Sequence, residues 1–131
     1  MSTIFSKIVN GEIPAYKIAE DENYLAFLDV FPLKPGHALV IPKLENDYIF
    51  DLDDTQLSGL MVFAKKVAKG ICKVIPCKRI GVAVIGLEVP HTHIHLIPME
   101  HVGDMNFANP KMKIAPEEMQ IIADKIRAQI A

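Results

Sequence analysis

Apolar residues recur along this chain with two different periods. From about residue 54 to 75, Leu57, Leu60, Met61, Ala64, Val67, Ala68, Ile71 and Ile75 stand at i, i+3, i+4 and i+7 spacing, which gathers them on one face of an α-helix. Asp53, followed three residues later by Gln56, has the residue types of a helix-capping pair. Val62 and Phe63 fall outside the stripe. They either stand exposed, as scattered apolar residues commonly do, or form a second buried face at a subunit contact. Elsewhere short apolar runs bounded by turn formers predict strands over 15–19, 24–29, 37–41 and 79–85. A fifth strand follows, carrying His91, His93 and His95. Glu12-Ile13-Pro14, Asp21-Glu22-Asn23, Pro32 with Pro35-Gly36, and Gly86-Leu87-Glu88 are the turns between them. A short helix is predicted over 3–9, ended by Asn10-Gly11, and a last helix begins at Pro116 with Glu117 and Glu118 in its first turn.

Antiparallel strands with helices inserted and appended predict one α+β domain over residues 1–131. Its sheet has about five strands, with one long helix, one C-terminal helix and a short N-terminal helix. Length agrees, since 131 residues suffice for one buried core. Half the residues are hydrophobic, 23 % are charged and the formal net charge is −2. Such a chain has no basic footprint for nucleic acid, although a free nucleotide needs only a local site. No apolar run approaches the roughly 20 residues that cross a membrane. The opening residues Met1 to Lys7 lack a basic stretch followed by an apolar one, so no signal peptide is expected. Cys72 and Cys77 are too few and too close for a disulfide framework, which suits a cytoplasmic protein with reduced thiols.

The chemistry concentrates in Pro90-His91-Thr92-His93-Ile94-His95-Leu96-Ile97-Pro98, which holds three of the five histidines. On a strand, residues at i, i+2 and i+4 face the same way, with successive rings roughly 6.6 Å apart. Three uses compete. As structural core, three imidazoles on one face would bury polar groups without obvious partners. As a metal site, His-x-His suits zinc, but the outer rings of a straight strand stand roughly 13 Å apart. As phosphate chemistry, one neutral imidazole attacks phosphorus while its neighbours donate to phosphate oxygens or the leaving group. A hydrogen bond from one ring nitrogen to a backbone carbonyl would free the other nitrogen to attack. This third use needs no metal and no cofactor, and it is the one preferred here.

His91-Thr92-His93-Ile94-His95-Leu96-Ile97 resembles the His-φ-His-φ-His-φ-φ signature of the histidine-triad (HIT) family of nucleotide hydrolases and transferases. Two further blocks are similar: residues 4–15, IFSKIVNGEIPA, and Leu25 to Asp29 followed by residues 32–43, PLKPGHALVIPK. Together they cover most of residues 4–98, the expected core, and leave 99–131 as a C-terminal extension without a specific match. The resemblance implies that His93 is the nucleophile, attacking the α-phosphate to form a nucleotidyl-histidine, with His91 and His95 flanking it and His37 packed close by. It implies that Asp29 accepts hydrogen bonds from ribose hydroxyls, and that Ile4, Phe5, Ile8, Phe27, Leu28, Val30 and Leu39 line the base pocket. From the residues alone, Asp29 has the alternative role of capping the turn before Pro32. His37 equally fits the start of a strand, and the apolar residues equally fit ordinary core.

The resemblance further implies a purine, adenosine-preferring substrate, a homodimer, and phosphoramidase or dinucleoside polyphosphate hydrolase activity. Two departures stand out. Many relatives carry Gly-Gln just before the triad and an Asn or Gln earlier, whereas here Leu87 follows Gly86 and 79–90 contains no Asn or Gln. Phosphate is then either held by the backbone N–H groups of 86–88 or held poorly, while Glu88 either acts on a leaving amine or is simply solvated. Some bacterial relatives bind structural zinc through N-terminal cysteines and a later histidine. Ser6 replaces one such cysteine and 43–46 contains no histidine, so no zinc is expected. A non-catalytic nucleotide-binding protein and a metal-binding regulatory protein are the alternatives to an enzyme.

Overall fold

A computed structural model describes residues 3–130. Helix α1 spans Ile4–Val9, started by the Thr3 hydroxyl, which accepts the Ser6 N–H. Gly11 then reverses the chain at φ +79°, a value that residues with a Cβ rarely adopt. Strands β1 (Lys17–Glu20), β2 (Tyr24–Leu28) and β3 (Ala38–Pro42) follow. Helix α2 (Asp54–Val74) leads to β4 (Arg79–Ala83), β5 (Ile94–Met99) and α3 (Pro116–Ala128). The strands form one antiparallel sheet in the order β1-β2-β3-β5-β4. This is the expected α+β architecture of five strands, with element ends moved by one to three residues.

One sheet face is covered by α2 and α3. Ala26, Leu28, Val40, Ile94 and Leu96 meet Leu60, Phe63, Val67 and Ile71 of α2 and Met119, Ile122, Ala123 and Ile126 of α3. The segment read as an extension therefore supplies part of the main core. Asp53 accepts the Gln56 N–H at 2.8 Å and starts α2, and Pro116 opens α3. The stripe on α2 is rotated from the expected one. Phe63 is buried against Tyr24 at 5.6 Å between ring centroids, while Met61 is exposed along with Val62. Residues 60, 63, 64, 67 and 71 satisfy helical spacing as well as the set containing 61, and the aromatic ring contributes more buried area.

The opposite sheet face carries a smaller cluster of Phe5, Ile8, Leu25, Phe27, Leu39 and Ile41, closed by α1. His95 pairs with Leu39 in the β3–β5 register and so projects onto this second face. Gly36, at φ +87°, makes the turn into His37, and a Cβ there would lie 2.8 Å from Ile75 Cγ1. The α2–β4 connection and the turn before His37 thus pack without room for a side chain.

Candidate active site

The structure corrects the expectation that all three triad histidines lie on a strand. β5 begins at Ile94, so His91 and His93 belong to the segment that enters it. Their backbone is used differently from ladder residues: the Thr92 N–H donates to the Asn46 carbonyl, and the His93 ring turns back onto the His91 carbonyl. The rings still gather on the α1 face. Phe5 stands edge-on to His91 at 5.8 Å and to His93 at 5.0 Å, and His93 lies 5.0 Å from His95. His37 joins them at 5.2 Å from His95.

Hydrogen bonds fix the tautomers, because a carbonyl only accepts and an amide N–H only donates. His93 Nδ1 lies 2.7 Å from the His91 carbonyl, so Nδ1 carries the proton and Nε2 keeps its lone pair. His91 Nε2 donates to the Pro42 carbonyl at 2.9 Å. The Leu33 N–H donates to His37 Nδ1 at 3.0 Å, so His37 holds its proton on Nε2 and donates it to His95 Nδ1, also at 3.0 Å. His95 is left presenting Nε2–H. Among the described residues, the one triad nitrogen with a lone pair that no donor engages is His93 Nε2, and it stands beside an N–H donor on His95.

Burial keeps the supporting rings neutral. It depresses His37 to about 3 and His95 to about 4, and it also lowers His91. Unfolded histidine titrates near 6.5, so between pH 6.5 and about 4 the unfolded state binds more protons than the folded one. Stability is then complete above that window and falls as pH falls through it. Asp29, raised by burial, acts in the opposite sense around the ordinary carboxylate range. We expect urea unfolding to show a loss on the order of 1 kcal/mol per pH unit for each titrating ring. The slope should be shallower in His37→Gln, and a flat profile in that window would contradict the neutral assignment.

Asp29 Oδ1 accepts the Phe31 N–H at 2.8 Å, so it does cap its turn, while Oδ2 lies 3.6 Å from His37 Nε2. Among the described residues, Asp29, His37 and His95 form the one group whose donor atoms are close enough to share a metal ion. The donor set does not fit one. Leu33 occupies the His37 Nδ1 lone pair, so the Nε2 that would face the ion carries a proton.

Of the expected base-pocket residues, Phe5, Ile8, Phe27 and Leu39 lie together on the histidine face, whereas Ile4 and Val30 are exposed beside Phe5 and Asp29. Leu28 is a correction. Adjacent strand residues point to opposite faces, and its side chain lies in the main core against α2 and α3. Glu88 is exposed on the loop before His91, and His101 is exposed at the start of a short 3-10 turn.

Other participants have no local sequence signal. Phe107 packs edge-on to His95 at 4.8 Å, with the Lys111 ammonium 5.7 Å from its ring centre. Asn46 donates to the Thr92 hydroxyl at 3.0 Å, and the Thr3 hydroxyl meets His91 Nδ1 at 2.9 Å. These pairs are 46 and 88 residues apart in the chain.

A family model described as "HIT domain" matches residues 10–102. An adenosine 5'-monophosphoramidase of Schizosaccharomyces pombe is 37 % identical over 133 residues, 99 % of each chain. An adenosine 5'-monophosphoramidase of Saccharomyces cerevisiae is 38 % identical, over 72 % of this chain and 61 % of that protein. The crystal structure of a HIT-like protein from Bartonella henselae superposes with a TM-score of 0.84 at 31 % identity, covering 98 % of this chain and 96 % of that one.

Proposed function

Because this chain belongs to the histidine-triad (HIT) family, we propose that it is a nucleotide hydrolase that releases AMP from an adenosine 5′-phosphoramidate through a nucleotidyl-histidine on His93. The observation that carries this reading is the 2.7 Å contact between His93 Nδ1 and the His91 carbonyl, which leaves the Nε2 lone pair free to attack.

In the first step the Nε2 lone pair forms a bond to the α-phosphorus while the P–N bond breaks, and the amine leaves with a proton drawn from solvent. His95 is neutral, so it serves as a hydrogen-bond donor through Nε2–H and stabilises charge on a non-bridging oxygen rather than acting as an acid. In the second step water attacks phosphorus, the P–Nε2 bond breaks, the proton lost by the water returns to solvent, and AMP leaves with His93 neutral again. Phe5, Phe27 and Leu39 offer an apolar wall for the base, and Asp29 Oδ2 is the oxygen available to ribose hydroxyls.

AMP release from adenosine phosphoramidate, compared with release from a diadenosine polyphosphate, tests the reading. Turnover of the former supports it, and tight AMP binding without turnover of either makes the protein a nucleotide binder instead. Asp29→Asn keeps an acceptor for the turn but weakens the ribose contact. We expect the ribo-over-deoxyribo preference in kcat/KM to fall towards unity, a change of roughly 1–2 kcal/mol. A preference retained in full would remove Asp29 from the site. The open edge of β4, with Val82 exposed on it and Val84 and Ile85 just beyond, is where a second copy would pair. A mass of two chains by light scattering supports that homodimer, and a monomer at micromolar concentration contradicts it.

A further inference from the structure

We propose that Thr3, Ser6 and Glu45 are positioning residues, a hydrogen-bonded relay that holds His91 and through it the attacking ring. This inference rests on His93 being the nucleophile. The chain of contacts is continuous. The Glu45 carboxylate accepts the Thr3 backbone N–H at 3.2 Å and the Ser6 hydroxyl through the same oxygen. The Thr3 hydroxyl oxygen accepts the Ser6 backbone N–H at 3.0 Å and stands 2.9 Å from His91 Nδ1.

Proton accounting gives these contacts a direction. His91 Nε2 faces the Pro42 carbonyl, which only accepts, so Nε2–H is the donor and Nδ1 offers a lone pair. The Ser6 hydroxyl proton is spent on Glu45; the Thr3 hydroxyl stands 3.2 Å from Ser6 Oγ and 2.9 Å from His91 Nδ1, and its proton goes to the nearer acceptor, the ring nitrogen whose lone pair needs a donor. His91 is thus held from both sides in a fully buried position, and Thr3 is almost as buried. The carbonyl of that same His91 receives the His93 Nδ1 proton and so sets which nitrogen of the nucleophile is free. Helix α1 reinforces the arrangement. Phe5, two residues after Thr3, wedges edge-on against both His91 and His93. In this reading none of the three relay residues touches the reacting phosphorus. Their contribution is the angle of one imidazole, and misplacing a reacting group by about 1 Å costs up to ~10²-fold in rate.

The decisive comparison is Thr3→Val, which keeps shape and loses the hydroxyl, against Thr3→Ser, which keeps the hydroxyl. Kinetics on adenosine phosphoramidate, AMP affinity, melting temperature and nitrogen-15 NMR of the histidine rings are measured for each. We expect Thr3→Val to lower kcat roughly 10-fold to 10²-fold, with AMP affinity within about twofold and the fold retained. The nitrogen-15 shift of His91 Nδ1 should move to that of a ring nitrogen without a donor, while Pro42 keeps the proton on Nε2, and Thr3→Ser should restore both readouts. Glu45→Ala should give a smaller loss in the same direction. An unchanged kcat together with an unchanged His91 Nδ1 shift in Thr3→Val would overturn the relay. Should the unsubstituted protein fail to turn over, the reading of His93 falls, and the NMR comparison still decides the relay on its own.

Discussion

His93→Ala is expected to lower kcat on adenosine phosphoramidate at least ~10³-fold, about 4 kcal/mol of barrier, while AMP binds as before. Removing the imidazole removes the covalent route, because no other triad nitrogen is placed to replace it. His91 has both ring nitrogens engaged, by Pro42 and by Thr3. His95 Nδ1 is engaged by His37, and its Nε2 carries a proton. AMP affinity depends on the walls and on Asp29, which the substitution leaves in place. Calorimetric titration with AMP beside steady-state kinetics separates the two effects. A loss below about tenfold would mean that water attacks phosphorus directly.

The second large effect concerns stability. Ile126 of α3 is fully buried in the cluster that also holds Leu60, Val67 and Ile71 of α2. Ile126→Ala is expected to destabilise the whole protein by roughly 2–5 kcal/mol, the range for emptying a packed aliphatic site. The helices meet closely here: a Cβ on Gly70 would lie 2.6 Å from Ile130 Cγ1. Urea unfolding followed at once by far-ultraviolet circular dichroism and by a triad histidine resonance checks the claim. Both probes should lose stability together. Loss of α3 signal alone, with the triad unaffected, would mean that the C-terminal helix unfolds separately.

Much of this was legible in the residue pattern, and the failures have physical causes. The element order, the Asp53–Gln56 cap and the Pro116 start depend on neighbours within four residues, and the structure carries them. The choice between Met61 and Phe63 did not, because both satisfy the helical period and only the partner Tyr24 decides. Three histidines at alternate positions pointed to one surface, and the rings do share it. The regular strand spacing fails because the chain joins the ladder only at Ile94. Phe27 and Leu28 are adjacent in the chain, yet strand alternation sends one to the histidine face and the other to the core. The roles of Thr3, Glu45, Asn46 and Phe107 depend on contacts between distant segments. Single-residue periodicity carries no trace of such contacts.

The central claim is that phosphorus passes through a bond to His93, and the stereochemistry at that phosphorus tests it most directly. An adenosine phosphoramidate made chiral with sulfur in place of one non-bridging oxygen is hydrolysed in oxygen-18 water, and the configuration of the thiophosphate product is read. Two successive in-line displacements, first by His93 Nε2 and then by water, predict retention of configuration. Inversion would show a single displacement by water and contradict the nucleotidyl-histidine.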